Sequence, residues 1–133
     1  MDKSKVNFSK PMLIQSVAFK DVFLRMDGKG ISTACGAGAG KVNCQRSMAP
    51  TGAFKVQKQT NGTFTIESSK YPGVFLRMDG NGIHAFAGSG SGRVNCQFGA
   101  SAWERFKLHE QSDGSYTIES AAFPNVFLRM DGN

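Results

Sequence analysis

Apolar and polar residues alternate in short runs along this chain, and no stretch repeats its apolar residues at the spacing of an amphipathic helix. Residues 74–79 show the alternation most clearly. Valine, leucine and methionine fall on one side of an extended strand, and phenylalanine, arginine and aspartate on the other. An apolar period of two is typical of strands that bury one face. The pattern therefore predicts an all-β fold.

Two further stretches, residues 54–68 and 106–120, have the pattern of β-hairpins. Each contains a turn pair that accepts positive φ, Asn61-Gly62 in the first and Asp113-Gly114 in the second. Alternating apolar residues flank both turns, so each hairpin is predicted to carry one apolar face. These apolar residues are Phe54, Val56, Phe64, Ile66, Phe106, Leu108, Tyr116 and Ile118.

The heptapeptide Val-Phe-Leu-Arg-Met-Asp-Gly occurs at residues 22–28, 74–80 and 126–132, so each copy follows the previous one by 52 residues. A repeat this regular predicts three copies of one structural unit. Each unit is too small to bury its own apolar face, which favours closure around a pseudo-threefold axis, the β-trefoil. Equivalent buried positions are then expected for Leu24, Leu76 and Leu128.

A single domain is expected for the whole chain, because 133 residues support one hydrophobic core. The predicted units are residues 12–63, 64–115 and 116–133, of which the third is incomplete.

The N-terminal residues 1–11 are the candidate for completing the third unit. The stretch Lys5-Val6-Asn7-Phe8 is similar to Lys41-Val42-Asn43-Cys44, which predicts that Val6 and Phe8 pack against the end of unit three. An incomplete unit would otherwise expose strand edges and apolar surface. One further strand would still be absent, and we expect a second chain, giving a homodimer, or a distorted loop to cover what remains.

The charge and the cysteines limit which classes of partner and site are expected. Sixteen Lys plus Arg against ten Asp plus Glu give a net charge of +6, which favours anionic partners. The basic residues do not cluster in sequence, and nucleic acid is not expected. Three cysteines without zinc spacing predict neither a disulfide framework nor a metal site. The polar start and the lack of a long apolar run predict a cytoplasmic protein with no membrane span, leaving non-classical secretion open.

Catalytic and cofactor motifs are not found. The glycine tract at residues 36–40 is followed by Lys41 and Val42, whereas a phosphate-binding loop needs Ser or Thr after its lysine. We therefore expect a flexible connection and no cofactor. The two histidines, His84 and His109, fall in different units without repeated counterparts, so the chain is not expected to be an enzyme.

Charged and aromatic residues recur at equivalent positions of the three units and are the candidate ligand-binding residues. They are Arg25, Arg77, Arg129, Asp27, Asp79, Asp131, Phe19, Tyr71 and Phe123. Arginine and aspartate together can hydrogen-bond vicinal sugar hydroxyls, but they can equally form a structural ion pair. The aromatic residues can stack on a sugar or fill the end of a barrel. The unrepeated Trp103 is either a cap over the barrel or a ligand contact.

Two families resemble parts of the chain. The stretch Ile118-Glu-Ser-Ala-Ala-Phe-Pro-Asn-Val-Phe-Leu-Arg, with its relatives at Ile14 and Ile66, resembles the motif of arabinofuranosidase-B-type carbohydrate-binding trefoils. Residues 92–120 are similar to a repeat of the fascin-like actin-crosslinking trefoils. The first resemblance implies a carbohydrate or glycoconjugate partner, and the second implies actin.

These patterns together predict a non-enzymatic, lectin-like binding module with repeated shallow sites for carbohydrate. A fascin-like actin-crosslinking protein is the main alternative. A protease inhibitor that acts through a protruding loop is a third.

Overall fold

The computed structural model of the protein describes residues 8–46, 53–85, 88 and 90–132. Strands and one 3-10 turn are the regular elements of the described residues, which confirms the all-β prediction. The strands are β1 (Met12–Leu13), β2 (Val22–Asp27), β3 (Lys41–Arg46), β4 (Ala53–Lys58), β5 (Phe64–Ser68), β6 (Val74–Asp79), β7 (Arg93–Phe98), β8 (Phe106–Glu110) and β9 (Tyr116–Ser120). The 3-10 turn is Ala102–Glu104. In this described part of the chain, no helix is long and apolar enough to cross a membrane.

Antiparallel pairing joins seven of the strands into one curled sheet. Its path runs β1-β4-β5-β6-β7, and β8 pairs with both β5 and β9. The strands β2 and β3 form a separate two-stranded sheet. Both predicted hairpins are present, as β4–β5 and β8–β9. Their turn glycines, Gly62 and Gly114, adopt φ of 85° and 86°, the left-handed region that glycine enters without strain.

The pairing registers of the first unit recur in the second. Met12 lies opposite Phe54, and Phe64, which is 52 residues after Met12, lies opposite Phe106. Likewise β2 pairs with β3 and β6 pairs with β7 in the same register. The third heptapeptide differs, because its described pairing is one bridge between Phe127 and Glu119.

The core lies between the hairpins and the heptapeptide strands. Leu24 and Leu76 are 1% and 0% exposed, as predicted. The prediction for Leu128 is wrong, since this residue is only partly buried. Leu24 and Leu76 are covered by β3 and β7 respectively. Among the described residues, Leu128 has a strand on one side only, β9, where Ile118 O accepts from Leu128 N at 2.8 Å.

Glycines at the ends of the heptapeptides make contacts that pass from unit to unit. Gly28 lies against Val74, Gly80 lies against Phe123, and Gly132 lies against Phe19. A Cβ at these three glycines would come within 2.8, 3.0 and 2.7 Å of the neighbouring side chain, so no larger residue fits without movement. The third contact returns from the last unit to the first. The three units are therefore connected in a ring.

The N-terminal prediction is only partly covered by the described residues. Val6 lies outside them. The ring of Phe8 packs 5.1 Å from that of Phe64 in β5, and Phe8 borders an apolar cavity of about 300 Å³ beneath the hairpins. Phe8 thus packs against β5 and borders the same cavity as Tyr116 and Ile118 of the third unit. Its packing against the end of that unit stays a prediction.

Candidate functional site

The outward side of each heptapeptide strand carries one phenylalanine, one arginine and one aspartate. Alternation places these three side chains on the side opposite to valine, leucine and methionine, which are buried in β2 and β6. The three copies have the same sequence but different surroundings, and they are described in turn.

In the second copy the arginine is part of the interior. Arg77 is 3% exposed and its Nη1 donates to Asn95 Oδ1 at 3.2 Å. Its Nε lies 3.8 Å from Glu104 Oε2, and its guanidinium lies 4.7 Å from the ring centre of Trp103. Gly36 O from the first unit accepts from Nη2 at 3.5 Å. This arrangement favours the structural alternative for Arg77 and the cap alternative for Trp103.

In the first copy the arginine and aspartate remain accessible. The side chains of Arg25 and Asp27 are 27% and 37% exposed, and Arg25 Nη2 lies 3.7 Å from Asp27 Oδ2. Arg25 Nη1 donates to Asn43 Oδ1 at 3.4 Å, which repeats the contact of the second copy. Thr51 and Gly52 occupy the positions equivalent to tryptophan and glutamate of the second unit. The first unit therefore lacks the two side chains that bury Arg77 in the second unit.

The third copy forms the most open face. Phe127 is 46% exposed, and Arg129 and Asp131, at the next alternate positions along the chain, are also exposed. Arg129 Nη2 donates to Gly88 O at 3.3 Å, equivalent to the glycine contact of the second copy. An aromatic ring, a cation and an anion thus share one solvent-facing surface, which we call the unit-three face.

A histidine and a glutamate border the unit-three face. The His109 ring lies 6.4 Å from that of Phe127, and His109 Nε2 lies 2.7 Å from Glu119 Oε1. Glu119 Oε2 accepts from the backbone N–H of Asn125 at 2.6 Å. This N–H and then the histidine hold the pKa of the Glu119 carboxyl below its ordinary value. This pair was not predicted from the sequence, because the position equivalent to His109 is Gln57 and the histidine therefore does not recur.

The aspartates also stabilise the turns that follow their strands. Asp27 Oδ1 accepts from Lys29 N at 3.1 Å, and Asp79 Oδ1 accepts from Asn81 N at 3.0 Å. An aspartate that accepts from the N–H two residues later forms an Asx turn. One carboxylate oxygen is therefore committed to the turn in these two copies.

The three turn aromatics are partly buried between units. Phe123 packs 5.0 Å from Trp103 in an edge-on arrangement, and Tyr71 lies 5.7 Å from Lys70 Nζ. Phe19 contacts Gly132 of the third unit. The structure does not bring these rings together with the arginine and aspartate of their own units. Their contacts favour the barrel-filling alternative.

The glycine tract of the first unit is an ordered partner of the second unit. Its backbone φ is 73° at both Gly38 and Gly40. A Cβ at Gly38 would lie 2.6 Å from Asn95 Oδ1. The expected flexible connection is therefore a tightly fitted one, and the signal for this was the recurrence of glycine tract and Val-Asn-Cys-Gln together.

The thiols and the acidic residues show no metal centre among the residues that the structure describes. Cys35, Cys44 and Cys96 are free, and they are exposed, partly buried and buried respectively. Burial raises the pKa of the Cys96 thiol to about 11. This thiol is therefore protonated at neutral pH.

Comparison with known proteins bears on the fold. No protein-family model and no curated protein matches the chain. A solved structure, described as the structure and mode of action of a mosquitocidal holotoxin, is similar to 89% of this chain with a TM-score of 0.69 and 9% sequence identity. The matched region is 13% of that toxin chain. A likeness at this identity concerns the fold alone.

Proposed function

We propose that the protein is a β-trefoil that acts as a non-enzymatic carbohydrate-binding module. The trefoil assignment is supported by the registers that recur after 52 residues and by the ring of glycine contacts. The cysteines make contacts between the same pairs of units. Cys96 Sγ lies 4.0 Å from Asp27 O, and the equivalent Cys44 thiol lies at the backbone of Asp131.

The unit-three face is the observation that carries the carbohydrate proposal. A phenylalanine ring that is 46% exposed offers an apolar platform for the C–H face of a sugar. The exposed Arg129 offers hydrogen-bond donors and the exposed Asp131 offers acceptors, a combination that suits neighbouring hydroxyls. The open, shallow shape suits the end or edge of a glycan.

A second, weaker site is proposed on the β2–β3 hairpin. Arg25 and Asp27 are accessible there, and Asn43 adds a polar group beside them. Phe23 on the same side is partly buried, so it offers less stacking surface than Phe127. The buried Arg77 leaves the second unit without such a site, so we propose two sites in place of three.

A glycan array tests the proposal, with Phe127→Ala as the decisive variant and Phe23→Ala as the matched control. Loss of the stacking platform should remove most of the retention on the array and leave only that of the weaker second site, while the control variant should keep most of its retention. Circular dichroism of both variants establishes that the fold is intact. Absence of any retained glycan, or undiminished retention by Phe127→Ala, would contradict the proposal.

Actin crosslinking is the second candidate, and the net charge of +6 favours it. Lys20 and Lys70 are exposed in corresponding turns, beside Phe19 and Tyr71 respectively, and could contact an acidic filament. Co-sedimentation with filamentous actin that weakens as salt rises would support this candidate. A protein that stays in the supernatant at low salt is not an actin binder.

A further inference from the structure

The apolar cavity beneath the hairpins is bordered by residues of all three units and has a volume of about 300 Å³. Val56 and Ile66 form its buried side, with 2% and 1% of their surface exposed. Leu13 and Val17 also line the cavity, but they are 37% and 72% exposed. These two side chains therefore lie at its opening.

The repeat pattern is broken at this cavity. Three apolar residues on its wall have small or polar residues at the two positions that follow at the repeat distance. Phe8, Leu13 and Val17 correspond respectively to Thr60 and Ser112, to Thr65 and Thr117, and to Ser69 and Ala121. Three departures of the same kind that meet at one cavity indicate a local requirement for apolar surface.

Leu13 shows that the trefoil itself does not impose this requirement. In the other two hairpins the corresponding threonine accepts a hydrogen bond from a glutamine side chain, Gln59 to Thr65 at 3.2 Å and Gln111 to Thr117 at 3.3 Å. Leucine cannot accept such a bond, and here it presents apolar surface to solvent. Exposed apolar side chains that cluster at a concave site are typical of a binding surface.

The apolar wall is unsuited to ordered water, which needs two to four polar partners. An apolar cavity of about 150 Å³ stays dry and binds benzene, and the cavity beneath the hairpins is about twice as large. Side chains around an empty cavity also lose packing partners. By this comparison the cavity has room for an apolar molecule of about ten carbon atoms.

We propose that the cavity binds one unbranched aliphatic chain of about ten carbons, as found in medium-chain fatty acids and alcohols. The chain lies against Val56 and Ile66, and its polar end lies at the opening beside Leu13 and Val17. Gln15 is exposed on the same wall and carries an amide, which suits a carboxyl or hydroxyl end.

Titration calorimetry of the full chain with straight-chain carboxylates from hexanoate to dodecanoate tests the proposed chain length. Each added methylene should tighten binding about fourfold until the cavity is filled near decanoate. Adsorption to the surface would continue to tighten with length. Absence of binding at about millimolar decanoate, or tightening that continues unchanged to dodecanoate, would overturn the proposal.

Decanol and decanoate separate the contribution of the chain from that of the charge. Decanol should bind about as tightly as decanoate, because the cavity holds the chain and the polar end stays in solvent. Decanoate binding without decanol binding would show that the basic surface attracts the carboxylate, and this result would also overturn the proposal.

The matched variants act on the opening and on an equivalent position away from the cavity. Leu13→Thr combined with Val17→Ser copies the second unit and should weaken decanoate binding about tenfold. Ala121→Ser changes the third-unit equivalent of Val17, which does not line the cavity, and should leave binding unchanged. Thermal denaturation establishes that both proteins fold. Undiminished binding by the double variant, or equal weakening by the control, would refute the assignment.

Light scattering of the protein alone identifies a second copy as the occupant, if there is one. We expect a monomer. A dimer that the double variant dissociates would show that another copy covers the opening, and the proposal would then be wrong. The inference does not depend on carbohydrate binding, because Phe127 does not line the cavity. A protein that binds decanoate and retains no glycan refutes only the carbohydrate proposal, and the reverse result refutes only the aliphatic site.

Discussion

The β2–β3 and β6–β7 hairpins share the sequence Val-Phe-Leu-Arg-Met-Asp and a following basic-Val-Asn-Cys-Gln strand, yet their polar residues have opposite environments. The side chain of Arg77 is 4% exposed, whereas that of Arg25 is 27% exposed. Cys96 is fully buried, whereas Cys44 is partly buried. The hairpins themselves do not decide these environments. Neighbouring segments do, namely residues 35–39 and the 3-10 turn at Ala102–Glu104.

The comparison separates interactions that stabilise the fold from groups that are available to a ligand. In the second unit an arginine, an asparagine and a glutamate form a closed polar network under Trp103. In the first unit the same arginine pairs with an exposed aspartate. Buried networks are costly to disrupt, while exposed pairs contribute little.

The largest expected effect is the loss of Arg77. Arg77→Ala leaves Glu104 buried without its cation, and we expect a loss of about 3–5 kcal/mol in the free energy of unfolding. The matched variant Arg25→Ala should cost less than about 1 kcal/mol, because its partner is exposed. Urea denaturation followed by circular dichroism measures both. Similar losses in the two variants would show that the two hairpins are energetically alike.

A smaller effect is expected from the glycine tract. Gly38→Ala should lower the free energy of unfolding by about 3 kcal/mol, because positive φ and a clash with Asn95 act together. The control is Gly30→Ala, which has a φ of 82° and open space around its Cβ position. This control should lose about 1 kcal/mol from φ alone. Thermal denaturation of both proteins gives the difference, and equal losses would mean that the tract does not fit β7 tightly.

The smallest expected effect is on the pH dependence of stability, and it should distinguish the third unit from the second. Glu67 and Glu119 each accept a backbone N–H, but only Glu119 also contacts a histidine. Because the folded-state pKa of Glu119 is lowered, its stabilising contribution is complete above the ordinary glutamate pKa and is lost as pH falls below that value.

His109→Gln, which copies the second unit, should therefore reduce the loss of stability on acidification. Urea denaturation of wild type and variant between neutral pH and about pH 3 measures it. Gln57→His introduces the contact into the second unit and should steepen the same dependence. Identical pH profiles for all three proteins would show that the histidine does not contribute to the pH dependence of stability.

The all-β class and the two hairpins were predictable because alternation and the Asn61-Gly62 and Asp113-Gly114 turns are local signals. The burial of Arg77 was not, since its partners Trp103 and Glu104 occur in one unit only and Gly36 lies far away in sequence. The error at Leu128 has a similar cause: the repeated heptapeptide predicted its side, but burial required a second neighbouring strand. The assignment of ligand-binding residues stays a prediction.

Trp103 is the single tryptophan of the chain, and it contacts Arg77 of the second unit and Phe123 of the third. Its indole fluorescence is therefore a natural probe of one junction between units. Emission that changes before the strands melt would mean that the units separate as individual bodies. Coincident changes in emission and circular dichroism would mean that the ring opens and unfolds in one cooperative step.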